Sequence, residues 1–157
     1  MRGQKNNGYA VNRRDGFTLI EVLIVVVIMA VLAATIIPQF SSSANDAKES
    51  SVKFNLHTLR SQIELYKLHH GGLLPSDTAI VNQLTLKTDV AGATGTGVTH
   101  IYGPYVQSIP TNPFNNLATI NGGAAALPGA ANTHGYRYNA ATGDIKLDST
   151  NATYAAW

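Results

Sequence analysis

The chain has 157 residues, 45% hydrophobic and only 13% charged, which suits one domain with a packed core. Its formal net charge of +2 splits into +3 before Gly16, from Arg2, Lys5, Arg13 and Arg14 against Asp15, and −1 afterwards, from 7 basic and 8 acidic residues. That balance leaves no basic footprint for nucleic acid on the folded part, and the lack of cysteine excludes a disulfide framework, a thiolate metal site and a cysteine nucleophile.

The first element lies at Phe17 to Ile37, where Glu21 is the one charge. About 20 apolar residues rising 1.5 Å each cross the roughly 30 Å hydrocarbon core of a bilayer, so this segment is long enough to span. The basic residues flank its N-terminal side, which puts residues 1–16 in the cytoplasm and the chain beyond Pro38 on the far side. A cleaved secretory signal does not fit. Its apolar run of about 7–15 residues is shorter and ends in a small-residue cleavage site, whereas here the polar boundary, Gly16, precedes the run. A plain anchor does not account for Glu21 either, because a carboxylate at membrane depth costs about 2.5–3.5 kcal/mol at the centre on insertion scales and marks function by default.

The order Arg13-Arg14-Asp15-Gly16-Phe17-Thr18-Leu19-Ile20-Glu21-Val22-Leu23, followed by the apolar helix and Pro38, resembles the class III signal of type IV pilins and type II secretion pseudopilins. The resemblance implies that a prepilin peptidase cuts after Gly16 and methylates the new N-terminal residue, Phe17. It further implies that Glu21 meets the amine of a neighbouring subunit in a filament, and that Pro38 marks a flexible point. The chemistry of the residues agrees. Cutting after Gly16 creates an α-amine of pKa about 7.7–8.0, largely cationic at pH 7 and in need of an anion. Both charges carry a desolvation cost, so a Glu21–amine pair selects the register of neighbouring helices more than it adds stability. Gly16, with no side chain, lets a protease approach the backbone closely. Pro38 removes a helix hydrogen bond and disfavours helix at Ile37, predicting a kink or loosening there.

Beyond Ser41, Ser42 and Ser43, the residues Val52, Leu56, Leu59, Ile63 and Tyr66 recur at spacings of 4, 3, 4 and 3, with Lys48, Glu49, Lys53, Arg60, Glu64 and Lys67 on other faces. This predicts an amphipathic helix over about 44–70, stopped by Gly71 and Gly72, with Pro75 preventing its resumption. Residues 17–70 then read as one long helix of roughly 80 Å.

The remaining chain predicts strands. His100 to Val106 is one, and Gly135 to Asn139 and Asp144 to Asp148 form a hairpin with period-two alternation, joined by Ala140-Ala141-Thr142-Gly143. Ala152 to Trp157 adds a terminal strand. The tract from Tyr105 to Asn115 and the Gly135 to Ile145 hairpin resemble the C-terminal regions of major pseudopilins. The best-known of these carry an acidic calcium-holding loop, but its full aspartate pattern is missing here. Asp144 and Asp148 supply too few oxygens, so calcium is unsupported and no cofactor is expected.

Other constellations read as structural. Adjacent residues on a helix do not face each other, so His69 and His70 are not a metal pair. Gly92 to Gly97 lacks the lysine and the strand-to-helix setting of a phosphate loop and predicts a surface loop, as does Gly122 to Ala131. No nucleophile elbow or zinc motif is present, so no enzyme is expected.

The expected architecture is an α+β pilin-like fold: a long N-terminal helix, its hydrophobic half protruding and its amphipathic half packed on a small antiparallel sheet. It divides into a leader (1–16), a transmembrane or filament-core helix (17–43) and a periplasmic domain (44–157). The resemblance implies a single-pass inner-membrane protein that becomes a periplasmic filament. Its implied partners are copies of itself, minor pseudopilins, prepilin peptidase, and the inner-membrane assembly platform with its ATPase. A type IV pilus subunit for adhesion or motility, or a DNA-binding minor pilin, are the alternatives. The first is weighed against by the missing cysteine loop, the second by the −1 balance.

Overall fold

A computed structural model describes residues 16–123 and 132–157. Of the expected leader, residues 1–15, with Arg13 and Arg14, lie outside the described residues, as does most of the Gly122 to Ala131 stretch. Two units divide between Ser43 and Ala44. Helix α1, Leu19–His69, begins in the first and ends in the second.

In the second unit the amphipathic stripe behaves as its spacing dictates. Val52, Leu56, Leu59, Ile63 and Tyr66 are all buried, and they form one core with Ile80, Leu84, Ile109, Tyr136, Tyr138, Ile145 and Leu147. The helix stops where two glycines allow left-handed backbone: Gly71 at φ +63° and Gly72 at φ +95°. The Gly72 amide returns to the Lys67 carbonyl at 2.8 Å, the six-to-one bond of a Schellman cap.

Helix α2, Ile80–Thr85, is a short element that the sequence pattern did not single out. It buries Ile80 and Leu84 against α1, and the side chain of its Gln83 ties two loops together. The Gln83 Oε1 accepts the Ser76 amide at 2.7 Å, and its Nε2 donates to the Gly92 carbonyl at 2.9 Å.

The sheet runs β1 (Ile120–Gly122), β2 (Tyr136–Tyr138) and β3 (Ile145–Leu147) in that order. The hairpin forms as the alternation predicts: Tyr136 faces Leu147 and Tyr138 faces Ile145, all buried, while Arg137 and Lys146 are half-buried. Gly143 turns the corner at φ +82°, its amide donating to the Asn139 carbonyl at 2.8 Å. The buried Tyr138 hydroxyl donates to the Pro75 carbonyl at 3.0 Å, and burial pushes its pKa up, so it remains a donor.

Three expectations need correction. The sheet is mixed rather than antiparallel, because β1 pairs with β2 in parallel. His100 to Val106 is not a strand. Only Tyr102 bridges, to Thr88, and the amides of Tyr105 and Val106 both turn to the Leu84 carbonyl at 2.9 and 3.0 Å. Gly103 at φ +74° and Pro104, which has no amide donor, break any ladder there. Ala152 to Trp157 is not a strand either. Ala152–Ala155 forms the short helix α3, capped by Asn151, whose side chain accepts the Thr153 amide at 3.0 Å. Its Tyr154 stacks on Phe114 at 4.5 Å and donates to Glu49 at 3.1 Å, and Lys53 sits 4.5 Å over the Trp157 ring.

Gly122 has no room for a side chain. A Cβ at Gly122 would collide with the Asp77 carbonyl, where the segment leading into α2 crosses β1. Gly122→Ala is therefore expected to destabilise the second unit by about 1–3 kcal/mol. Thermal melting of the full chain in detergent measures this, and an unchanged Tm would contradict so close an approach.

Candidate functional site

The first unit carries the features that mark function. From Leu19 to Ile37 the large apolar residues lie on every face of α1 and all are exposed. A helix that is hydrophobic all round belongs in a protein core, a lipid bilayer or a packed assembly, since water leaves no face of it solvated favourably. The helix is long and apolar enough to cross a membrane, with a window of mean hydropathy 3.0. Its weakly polar residues are satisfied internally: Thr35 Oγ1 donates to the Leu32 carbonyl at 2.9 Å, and Ser42 Oγ to the Gln39 carbonyl at 3.0 Å. A hydroxyl bonded to its own helix in this way is tolerated in an apolar medium.

Gly16 precedes the helix in open space, with nothing near the position of an absent Cβ. Phe17 follows it, 89% exposed. Glu21 lies in the first helical turn. Its Oε2 accepts the Thr18 amide at 2.8 Å and the Thr18 hydroxyl at 2.7 Å, and the Thr18 hydroxyl accepts the Glu21 amide at 3.3 Å. This is a capping box: N-cap and third helical residue each satisfy an amide of the other. Thr18 is the residue that sequence reading missed, although the signal was present. A Ser or Thr three positions before an acid at the head of an apolar run is the signature of such a box, and Thr18-Leu19-Ile20-Glu21 fits it. Pro38 lies within α1, whose helical backbone continues through it and through the three serines. Having no amide hydrogen, Pro38 leaves the Ala34 carbonyl without its helical donor.

The adjacent histidines His69 and His70 pack among aromatic rings. His70 is buried, stacked on Tyr66 at a ring separation of 3.8 Å, with Nδ1 at 2.7 Å from the Tyr66 carbonyl and Nε2 at 3.0 Å from the Thr88 hydroxyl. The carbonyl only accepts, so Nδ1 carries a proton. His69 points elsewhere, to the Tyr105 hydroxyl at 3.1 Å.

The two aspartates weighed for calcium do separate work. Asp144 accepts the Thr142 hydroxyl at 2.8 Å. Asp148 is buried, its Oδ2 accepting the Thr133 and His134 amides at 3.0 and 2.9 Å. Its Oδ1 makes no hydrogen bond and lies 3.8 Å from Arg137 Nε. Among the described residues no group of three His, Cys, Asp or Glu side chains gathers.

Comparison with known proteins agrees with the N-terminal geometry. The family described as prokaryotic N-terminal methylation motif matches residues 11–37, a range that holds Gly16, Phe17, Thr18 and Glu21 and ends before Pro38. Together with the long helix over a small sheet, this defines a prepilin-type subunit. The type II secretion system core protein G of Pseudomonas aeruginosa is 31% identical over 106 residues, covering 66% of this chain and 70% of that protein. The protein of the same name in Escherichia coli K12 is 26% identical over 110 residues, 68% of this chain and 71% of its own length. The type IV wide pilus major component PilA4 of Thermus thermophilus is 28% identical over 134 residues, 85% of this chain and 95% of that protein. No solved structure matches the chain significantly. The chain belongs to the type IV pilin and type II secretion pseudopilin family, with the core protein G pseudopilins. Its role is accordingly a structural one.

Proposed function

We propose that the chain is the building subunit of a type II secretion pseudopilus, a filament that grows from the inner membrane into the periplasm and drives protein export. The observation that carries this reading is the α1 segment exposed on every side, apolar throughout except for Glu21, and set inside a prepilin motif. In this reading residues 1–16 face the cytoplasm and residues 44–157 the periplasm. Prepilin peptidase removes the leader after Gly16 and methylates Phe17. An inner-membrane assembly platform with its ATPase then withdraws the helix from lipid into a filament of like subunits, with minor pseudopilins as further partners. Glu21 meets the new amine of a neighbour, and Pro38 gives local flexibility to the helix.

The relationship to the Thermus pilus component, which spans most of both chains, favours a second reading: a subunit of a surface type IV pilus. Deleting the gene separates the two. Lost exoprotein release with unchanged surface piliation supports the pseudopilus, and the reverse result moves the assignment to a pilus.

Two substitutions test the residues. A branched side chain at the cleavage position obstructs the protease, so Gly16→Val is expected to accumulate as uncut precursor on a denaturing gel. Normal cutting of that variant is incompatible with Gly16 as the processing site. Glu21→Val should insert into the membrane at least as well as wild type, gaining about 2.5–3.5 kcal/mol at most on insertion scales. It should nevertheless yield no sedimentable filaments, because the neighbour's amine loses its anion. Wild-type filament yield would remove the role assigned to Glu21.

A further inference from the structure

The part of α1 that lies in the second unit carries a second patterned face. Every seventh residue from Ala44 (Ser51, Thr58, Leu65) and every seventh from Ala47 (Phe54, Ser61, Leu68) fall along one seam. That seam runs roughly half a turn around the helix from the buried Val52, Leu56 and Leu59. Seven charged side chains lie between Ala44 and Leu68, and all of them avoid the seam. Three of its members are large, apolar and uncovered: Phe54 is 71% exposed, Leu68 76% and Leu65 38%. Two of its hydroxyls are bonded within the helix, Thr58 Oγ1 donating to the Phe54 carbonyl at 3.0 Å and Ser61 Oγ to the His57 carbonyl at 2.9 Å. Such hydroxyls can enter a dry contact without giving up a hydrogen bond. A solvated face has no reason to exclude charge in this way, whereas a face that packs on another element does.

The spacing identifies what packs there. Steps of 3 and 4 average 3.5, and a straight helix carries such a line around its surface by roughly 20° per heptad. The line stays in contact along its length when two helices wind about each other, so the fitting partner is a helix with the same repeat. A second copy of this chain supplies one. We propose that this face of α1 docks the same face of a second copy, as a parallel, in-register helix pair that forms between membrane-anchored subunits before any filament. The direction rests on the membrane reading above, in which both copies start from one bilayer at their N-terminal ends. The flanks suit it. In a parallel pair Ser50 faces Asn55, His57 faces Gln62 and Glu64 faces His69 across the seam, so none of these pairs opposes like charges. With Ala, Ser and Thr at five of its eight positions the contact is weak between free subunits, and confinement to a shared membrane raises the effective concentration at which it forms.

The chain has no cysteine, so single cysteines report the contact without background. Ala47→Cys, Phe54→Cys, Ser61→Cys and Leu68→Cys place thiols on the seam, while Asp46→Cys and Lys53→Cys place them at exposed positions off it. Full-length chains are made without the assembly platform and its ATPase, the membranes are treated with a mild oxidant, and disulfide dimers are read on a non-reducing gel. A disulfide needs Cα atoms within about 7 Å, so all four seam positions should give at least about fivefold more dimer than either control. Dimers at the middle of the seam but not at Ala47 and Leu68 mean antiparallel pairing. Dimers that appear only with the machinery restored mean a filament contact, and equal yields on and off the seam mean random encounter. Each of these outcomes overturns the proposal. Phe54→Glu, combined with Ala47→Cys, puts a carboxylate into the contact at a position exposed in the single subunit. It should lower the Ala47 cross-link at least about tenfold, with Tm in detergent unchanged, and Phe54→Leu should retain the cross-link. A cross-link indifferent to Phe54→Glu also overturns the pairing. These cells lack the assembly machinery, so failure here leaves the filament reading standing, and the gene deletion tests that reading by itself.

Discussion

An ionised carboxylate in apolar surroundings must find donors, and that requirement organises both units of the chain. At the head of α1, Glu21 is the one charge in the apolar run, and it draws an amide and a hydroxyl from the same residue, Thr18. A carboxylate and a helix N-terminus solve each other's problem there: the helix has unpaired amides, the acid has lone pairs, and the dipole favours the negative charge. In the second unit Asp148 repeats the solution away from any helix. Its Oδ2 takes two consecutive loop amides, from Thr133 and His134, and so secures the loop that leads into β2. Its Oδ1 has only the Arg137 guanidinium at 3.8 Å, an ion pair whose geometry does not reach hydrogen bonding.

The second unit depends on one helical stripe. Val52, Leu56, Leu59, Ile63 and Tyr66 occupy one face of α1, and every later element contributes side chains to the cluster they begin. The sheet strands are three residues each, too short to be stable by pairing alone, and their stability comes from laying alternate side chains on that stripe. The C-terminal segment adds contacts from the other side of the same helix. Arg60 bonds the Ile145 and Trp157 carbonyls, Glu49 accepts from Tyr154, and Lys53 lies over Trp157. Glu49, Lys53 and Arg60 are polar positions of an amphipathic helix, yet in this fold they carry the end of the chain.

The parts legible in the sequence were those governed by a repeating pattern or by local chemistry. The helical stripe, the Gly71-Gly72 stop and the Tyr136 to Leu147 hairpin follow from side-chain period and backbone permissiveness, which are properties of neighbouring residues. The misread segments were those whose state is decided by partners distant in the chain. Ile120–Gly122 gives no alternation to read, and it becomes a strand because β2 offers it an edge. Tyr102 and Val106 look extended, but Gly103 and Pro104 between them forbid a ladder. Ala152 to Trp157 has strand-like aromatics at its end, while the decisive residue was Asn151, whose side chain starts a helix turn. At the candidate site, the carboxylate stood out by its charge. Its hydroxyl partner went unremarked, because a threonine at the edge of an apolar run looks ordinary until the spacing of three is considered.

The composition of α1 explains why a single acid can matter so much to the proposed assembly. Valine, isoleucine, leucine and alanine pack through contacts that are individually weak and similar to one another. Two such helices sliding past each other exchange one set of apolar contacts for another of nearly equal strength, so the surface alone defines no preferred stagger. A carboxylate changes that balance. At every stagger but one it faces hydrocarbon, where an unpaired charge is strongly unfavourable, and at the remaining one it faces the cation at the head of a neighbour. Discrimination then comes from the penalty on wrong registers rather than from the strength of the correct one. In the proposed assembly this is also why the acid sits beside the terminus that cleavage after Gly16 creates. Before cleavage the chain has no amine at Phe17, and every stagger is equally unrewarded. In the proposed processing, cleavage creates one cation at the head of the apolar helix for Glu21 to match, and in that reading it sets when subunits become able to recognise each other.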